Sequence, residues 1–200
     1  TLVSKLDDSP LVELLLNNAS TTPVDQTLST VTGDDNAKAE IIDANLTSEI
    51  IRKMPMNQTY YGKMSELLKK IIGERRLGAL SYAEYLRQVT ELARRIHNPE
   101  ETENYPKQIR DTQAGRAMYD FVGEQDALRE ADLGDLAFDL HYGIIESLET
   151  GWLANRQKQQ RIKRAIADTL REYGCPADQI DNLVDQVYEM ATRQEEYFDD

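Results

Sequence analysis

Apolar residues recur at helical spacing along most of this 200-residue sequence, and this periodicity constrains the fold more than any other feature. The clearest stripe would give one helix an apolar face opposite a charged one. Its members are Tyr82, Tyr85, Leu86, Val89, Leu92, Ala93 and Ile96. Similar stripes lie in residues 64–71, 114–122, 133–148, 162–173 and 180–191, and no convincing pair of strands is present. The pattern predicts an all-α fold, an irregular multi-helix bundle built from antiparallel helical hairpins.

Local signals predict where several helices begin and end. Gly78 is suited to a helix C-terminus, because glycine tolerates the left-handed conformation. Ser81 and Glu84 have the spacing of a capping box, in which the Glu side chain reaches back to the Ser amide. Only a few residues separate these two helices, so we expect them to form an antiparallel hairpin. Pro176 suits the first turn of a last helix.

Other segments predict interruptions. Residues 98–110 contain two prolines among polar neighbours and are predicted to be a loop. Gly134 and Gly143 weaken the helix that contains them, and a kink or break is expected near Gly143.

The N-terminal part has a different composition. Residues 20–32 contain seven Ser or Thr and one Pro without a helical stripe, which is typical of a linker. We therefore divide the chain into residues 1–35, a short apolar helix (11–16) with a Ser/Thr-rich linker, and residues 36–200, a helical domain. The chain begins with Thr1 rather than Met, and we expect it to be a piece of a longer protein.

The net charge of −13 argues against general nucleic-acid binding, because phosphates require a cationic surface. The charge is unevenly distributed, however. Residues 124–149 and residues 174–200 each hold eight acids and one base, whereas residues 151–173 hold six bases and two acids. The sequence therefore predicts a local basic helix between acidic neighbours.

Motifs for nucleotide, metal or nucleophilic chemistry are missing. No phosphate-binding glycine loop occurs, and His97, His141 and Cys175 are too far apart in sequence to form a zinc motif. A group of carboxylates at helical spacing is best interpreted as a solvated acidic face. A metal-pair site between helices would also need a Glu-x-x-His motif, which is absent. The members of the group are Asp132, Asp135, Asp139 and Glu146, with His141 nearby. We therefore expect no catalytic residue, metal or cofactor in this chain.

The single cysteine and the hydropathy of the sequence indicate the compartment in which the protein works. Cys175 is the only cysteine, so an internal disulfide is impossible and a reducing compartment is favoured. Its thiol could have a lowered pKa at a helix start, but a buried or capping role is the stronger interpretation. No apolar run is long enough to span a bilayer. We expect a soluble cytoplasmic protein with no membrane contact.

The basic helix holds the candidate binding residues. They are Arg156, Lys158, Arg161, Lys163 and Arg164, with Trp152 just before them. Three interpretations remain open: an ordinary solvated face, a patch that docks on an acidic protein surface (including this chain's own acidic helices), or a contact with a phosphate backbone. Trp152 is either an interface anchor or a core residue. The tyrosine cluster of residues 60, 61, 82 and 85 is interpreted as core rather than as a base-stacking platform.

An ordered series of short motifs resembles a known family. Residues 57–68 read Asn-Gln-Thr-Tyr-Tyr-Gly-Lys-Met-Ser-Glu-Leu-Leu, followed by Ile-Ile-Gly-Glu-Arg-Arg at 71–76 and Tyr-x-x-Tyr-Leu at 82–86. Tyr-Pro at 105–106, Arg-Ala-Met-Tyr at 116–119, and Trp152 before a basic helix ending Ile-Lys-Arg-Ala-Ile at 162–166 continue the series. Together these motifs resemble the C-terminal helical domain of the motor (R) subunit of type I restriction–modification enzymes, over about residues 38–197.

This resemblance implies a function and a set of partners. The parent subunit would be an ATP- and Mg²⁺-dependent DNA translocase and deoxyribonuclease, with its catalytic motifs upstream, and residues 1–35 would continue from its preceding motor or helical region. The fragment would be a non-catalytic assembly module that docks the motor onto the methyltransferase (M) and specificity (S) subunits. It would also contact the motor and nuclease domains of its own chain. Alternatives are an auxiliary duplex-DNA-binding element and an unrelated helical adaptor.

Overall fold

The structure is a computed structural model that describes residues 34–194 and residue 197. The short helix and linker predicted within residues 1–33 lie outside the described residues. In the described part every regular element is helical and no strand occurs, which confirms the all-α prediction. The α-helices are α1 (Asp35–Lys53), α2 (Gln58–Arg76), α3 (Tyr82–His97), α4 (Pro99–Thr102), α5 (Lys107–Arg110), α6 (Gln113–Gly123), α7 (Leu133–Ser147), α8 (Arg156–Glu172) and α9 (Ala177–Ala191). Short 3₁₀ turns lie at Asp126–Leu128 and Trp152–Ala154.

The described chain forms two compact units. The first comprises residues 34–53 and 61–103, and the second comprises residues 54–60, 104–194 and 197. The division of the sequence into residues 1–35 and 36–200 stays a prediction.

The first unit is built on a hairpin of α2 and α3. The Tyr61 hydroxyl, near the start of α2, lies 3.5 Å from the carbonyl oxygen of Ile96, near the end of α3. At the other end of the hairpin, the Arg75 guanidinium lies 5.2 Å from the centre of the Tyr85 ring. The two helices are therefore antiparallel, as predicted. Helix α1 packs against α3 through a fully buried apolar face formed by Ala39, Ile42, Leu46 and Ile50.

The connection between α2 and α3 largely follows the sequence signals. Gly78 has a φ of 70° and donates its amide to the Arg75 carbonyl, while the Ala79 amide bonds to the Glu74 carbonyl. This pair of bonds is a Schellman motif. The Ser81 hydroxyl accepts the Glu84 amide at 3.2 Å, so the predicted cap is present. The second hydrogen bond of the predicted capping box, from the Ser81 amide to Glu84, is not present. The Glu84 carboxylate accepts hydrogen bonds from Arg87 and Gln88 instead.

The second unit is a series of antiparallel neighbours, α6 to α9. Helix α7 packs between α6 and α8, and α8 packs on α9. The antiparallel register of α7 and α8 shows in two contacts: Tyr173, just after α8, bonds to Asp139 in α7, and a Cβ at Gly143, later in α7, would lie next to Thr169, earlier in α8. Lys163 and Asp185, which are equally distant from Gly174, pair across α8 and α9. The fully buried residues of α6, α7, α8 and α9 form most of its core. They include Leu136, Ala137, Leu140, Ile144, Ile162, Ile166, Leu170, Leu183 and Val187.

Two local predictions were wrong. Residues 98–110 are not a plain loop, since they contain α4 and α5, and Pro99 starts α4 at a position that needs no amide donor. Helix α7 also continues through Gly143 without a break, because α8 packs there: a Cβ at Gly143 would lie 3.7 Å from the Thr169 hydroxyl. Gly134 permits a closer approach, since its Cβ would lie 3.1 Å from Pro106.

Candidate functional site

Helix α8 carries the predicted binding residues and is fixed by its apolar face. Asn155, the N-cap of α8, accepts hydrogen bonds from the amides of Gln157 and Lys158 at 2.9 and 3.2 Å. Its side chain thereby satisfies two amide donors that have no partner within the helix. Ile162, Ile166 and Leu170 are buried against the core of the second unit. The basic side chains therefore lie on the sides and outer face of α8.

Two of the cations are held by one carboxylate at the end of the preceding segment. Lys158 Nζ lies 3.5 Å from Glu149 and donates a 2.7 Å hydrogen bond to the Thr150 carbonyl. The Arg161 guanidinium also donates to Glu149. Both positive charges thus face an acid of the same chain.

A third cation is paired across the α8–α9 contact. Lys163 Nζ donates a 2.6 Å hydrogen bond to Asp185 and lies 4.8 Å from the centre of the Tyr188 ring. The side chain of Lys163 is 29% exposed, so this ammonium is partly removed from solvent. The cation–π contact and the carboxylate together hold it against α9.

Arg156 and Arg164 are in a different situation. Both are exposed, and neither forms an ion pair within the described part of the chain. Their eight-residue separation places them on the same broad face of α8, with the exposed Gln160 between them. Arg164 also lines a groove of about 630 Å³ between α8 and α9, whose walls carry both acids and bases. These two arginines are the candidates that remain available to a phosphate or an external carboxylate.

Trp152 is a core residue. Its side chain is 3% exposed, its Nε1 donates a 3.0 Å hydrogen bond to the Tyr197 carbonyl, and its ring makes an edge contact with Tyr188. An external partner would not reach it in this conformation. The neighbouring Leu153 is the exposed side chain of this turn, at 45%.

The carboxylates of α7 do not converge on a metal site. Asp132 is the N-cap and accepts the amides of Gly134 and Asp135. Asp139 accepts a 2.6 Å hydrogen bond from the Tyr173 hydroxyl, and burial together with this bond raises the pKa of Tyr173. His141 is buried and its Nδ1 lies 2.7 Å from the Tyr197 hydroxyl. Among residues 34–194 and 197, no group of His, Cys, Asp and Glu could hold a metal ion.

Cys175 lies in the turn between α8 and α9 and is buried. Burial, reinforced by the nearby Asp178 carboxylate, raises the pKa of its thiol. The alternative of a lowered pKa at a helix start is therefore wrong. A raised pKa disfavours the thiolate that a nucleophile would need.

Three of the four clustered tyrosines are core residues, as predicted, whereas Tyr82 is half-buried and stacks on the Tyr85 ring at 6.1 Å. Tyr60, Tyr61 and Tyr85 are 4%, 6% and 0% exposed. The Tyr85 hydroxyl donates a 2.8 Å hydrogen bond to Asp43, which forms a 2.8 Å ion pair with Arg75. Burial and the Asp43 carboxylate raise the pKa of Tyr85. Sequence reasoning missed Asp43, although an acid at the edge of the apolar stripe of α1 was the available signal.

A second polar network was also missed. Asp120 accepts hydrogen bonds from the Asn57 amide at 2.6 Å and from the Tyr105 hydroxyl at 2.8 Å. Asn57 in turn accepts the Tyr60 amide in the first turn of α2. This network joins motifs that are distant in sequence. It lies beside a cleft of about 600 Å³, whose lining includes Asn57, Gln58, Phe121, Gln125, Met190 and Arg193.

These observations define a helical module in which an acidic helix, α7, lies beside a basic helix, α8, whose cations are mostly paired within the chain. Among the described residues, no helix is both long and apolar enough to cross a membrane.

A protein-family model relates this chain to known proteins. The model described as "Type I restriction enzyme HindI endonuclease subunit-like, C-terminal" matches residues 27–196, and the chain belongs to this family. The resemblance to the C-terminal part of a type I restriction endonuclease subunit is thereby confirmed. A search of curated proteins found no match. A search of solved structures also found no match.

Proposed function

We propose that this chain is a non-catalytic assembly module of a type I restriction endonuclease subunit. It docks the ATP-dependent motor that translocates and cleaves DNA onto the methyltransferase–specificity core. Its partners are the M and S subunits and the motor and nuclease domains of its own chain, and ATP and Mg²⁺ act elsewhere in the parent enzyme. Family membership supports the parentage and removes the unrelated adaptor from consideration.

The pairing of the α8 cations is the observation that favours protein docking over DNA binding. Lys158, Arg161 and Lys163 each have a carboxylate partner within the chain. A phosphate would have to compete with those carboxylates, whereas nucleic-acid affinity depends on free cations that displace counterions. With a net charge of −13, the molecule as a whole repels DNA.

The docking proposal is tested with the 200-residue chain and purified methyltransferase–specificity core from the same system. We expect co-elution in size-exclusion chromatography and competition with the full-length restriction subunit for the core. Bovine serum albumin at equal concentration is the control for nonspecific association. Absence of both co-elution and competition would refute the docking function.

The exposed arginines support a second candidate, an auxiliary contact with duplex DNA. Arg156 and Arg164 have no acidic partner among the described residues and share a face of α8. The double change Arg156→Ala/Arg164→Ala should then reduce both DNA affinity and its salt dependence. Arg76→Ala, which removes another exposed arginine at the end of α2, is the matched control. Unchanged DNA affinity of the double variant, measured by fluorescence anisotropy across a salt series, would eliminate this candidate.

A further inference from the structure

Helix α7 is apolar on two faces, and only one of them is covered within the second unit. Its buried face, which includes Leu136, Leu140 and Ile144, packs between α6 and α8. A second set of apolar side chains, Phe138, Tyr142 and Ile145, follows the spacing i, i+4, i+7 and so forms a stripe on a different side of the helix. Tyr142 is 46% exposed and Ile145 is 40% exposed. A helix that is apolar on both faces is normally covered on both.

The stripe differs from the other exposed apolar residues. Ile41, Ile51, Leu77 and Leu153 are also exposed in the described part of the chain, but none has another of them within one turn of its own helix. Isolated exposed apolar residues are ordinary on protein surfaces, whereas contiguous ones mark interaction sites.

The tyrosine at the centre of the stripe is held in place. The Tyr142 ring centre lies 4.3 Å from that of Phe138 and 5.6 Å from that of the buried His141. An aromatic side chain fixed in this way loses little conformational entropy on binding. Tyrosine is also among the residues that contribute most to protein interfaces.

One edge of the stripe is acidic and lacks a compensating cation. Asp135, Asp139 and Glu146 recur at four- and seven-residue intervals along the flank of α7. None of the three forms an ion pair with a described residue: Asp135 accepts a hydrogen bond from Gln108, and Asp139 accepts one from Tyr173. This contrasts with Glu149 and Asp185, which face cations of α8.

We propose that the α7 stripe, formed by the half-buried Phe138 and the exposed Tyr142 and Ile145, is the surface through which this chain binds the methyltransferase–specificity core. The partner's contact segment carries apolar side chains flanked by Lys or Arg, which match the stripe and its acidic edge. The inference rests on the proposed docking function and names the face that performs it.

Two other occupants are disfavoured by charge. In a two-fold contact between copies of this chain, the same face would meet itself. The acidic edges of both copies would then be concentrated in one interface. Duplex DNA would be repelled by the same carboxylates. A cationic protein surface is the occupant that the charge pattern fits.

The central test compares Ile145→Glu with Ile51→Glu, which makes the same chemical change at an exposed position of α1. Binding of the 200-residue chain to the methyltransferase–specificity core is measured by isothermal titration calorimetry. We expect Ile145→Glu to weaken binding at least about tenfold and Ile51→Glu to leave it within about twofold. Tyr142→Ala should also weaken binding, and thermal melts of all variants establish that they remain folded.

The acidic edge is tested separately by Glu146→Lys, with Glu40→Lys on α1 as the control. We expect a roughly threefold to tenfold loss of affinity for Glu146→Lys only, and the loss should diminish as salt rises.

The possible results separate the two proposals. If the wild-type chain binds the core and the three α7 variants and both control variants bind equally well, the α7 surface is wrong while the docking function stands. If the wild-type chain does not bind at all, both proposals fail. If the chain instead forms a dimer in sedimentation experiments that Ile145→Glu abolishes, the stripe is a self-association surface and the proposed partner is wrong.

Discussion

The Lys163 ammonium lies 2.6 Å from the Asp185 carboxylate and 4.8 Å from the centre of the Tyr188 ring, although these residues belong to different helices. Lys163 and Asp185 are equally distant in sequence from Gly174, the residue at the turn of the α8–α9 hairpin. The hairpin thereby brings a base of the basic segment onto an acid of the C-terminal segment. Glu149, which lies in the segment before α8, likewise forms ion pairs with Lys158 and Arg161.

This pairing predicts that removing the acids increases DNA binding. Glu149→Gln/Asp185→Asn frees three cations of α8 without changing their number. We expect weak duplex-DNA affinity to increase by roughly threefold to tenfold, with a steeper dependence on salt concentration, because more phosphates can be neutralised. The measurement is fluorescence anisotropy with a labelled duplex.

The control for this experiment is Glu130→Gln/Glu40→Gln. It removes the same number of negative charges at exposed positions where no ion pair is present among the described residues. An equal increase in the control would attribute the effect to net charge alone and contradict the role of the ion pairs.

The buried cluster of the first unit predicts a large loss of stability for Asp43→Ala. Asp43 is 7% exposed, pairs with Arg75 and accepts the Tyr85 hydroxyl. Its removal leaves a buried guanidinium without this carboxylate, which costs about 3–5 kcal/mol. The free energy of unfolding is measured by urea denaturation, with Glu40→Ala on the exposed face of the same helix as control. A loss below about 1 kcal/mol would contradict the importance of the cluster.

Two glycines without close neighbours predict opposite effects of the same substitution. Gly174 has a φ of 76°, and a Cβ there would have no atom within 4 Å, so Gly174→Ala is penalised only by its left-handed backbone. We expect a loss of about 1–2 kcal/mol. Gly62, inside α2, also has open space around it, and Gly62→Ala should stabilise by about 0.5–1 kcal/mol. Thermal unfolding of both variants provides the comparison, and changes of the same sign would refute it.

The hydrogen bonds of Glu84 predict an acid-dependent contribution to stability. Arg87 and Gln88 donate to this carboxylate and lower its pKa from 4.5 to about 2. Because the folded-state pKa is lower than the unfolded one, the contribution is present above pH 4.5 and is lost as the pH falls towards 2.

The Glu84→Gln variant tests this dependence. The difference in unfolding free energy between wild type and Glu84→Gln should shrink across that pH window. An NMR titration of the Glu84 carboxyl should have its midpoint near the lower value. Glu40→Gln is the control for loss of a charge without these bonds. A titration midpoint near 4.5 would disprove the effect.

Local signals were sufficient for much of the fold. The apolar stripe of α3, the left-handed Gly78 and the Ser81 cap each depend on residues a few positions apart, so the sequence contains the whole interaction. The side chain of Glu84 was predicted less well, because its carboxylate could bond either backwards to Ser81 or forwards to Arg87. The forward hydrogen bonds are the ones present.

Local signals were not sufficient to predict which residues of the candidate site are buried, paired or exposed. The six predicted residues share charge or position in the sequence, yet Trp152 is buried and donates a hydrogen bond to the carbonyl of Tyr197, a residue distant in sequence. Likewise, only the packing of α8 separates the paired Lys163 from the exposed Arg164. Long-range contacts of this kind leave no periodic trace in the sequence.

The sequence by itself determined that this protein is helical, where several of its helices begin or end, and which family it belongs to. These properties follow from backbone propensity, periodicity and ordered motifs. Only the tertiary structure decided which charges neutralise one another and which apolar face of α7 is left exposed. The physical reason is that helix packing brings together residues from separate segments, and a side chain's burial depends on those neighbours.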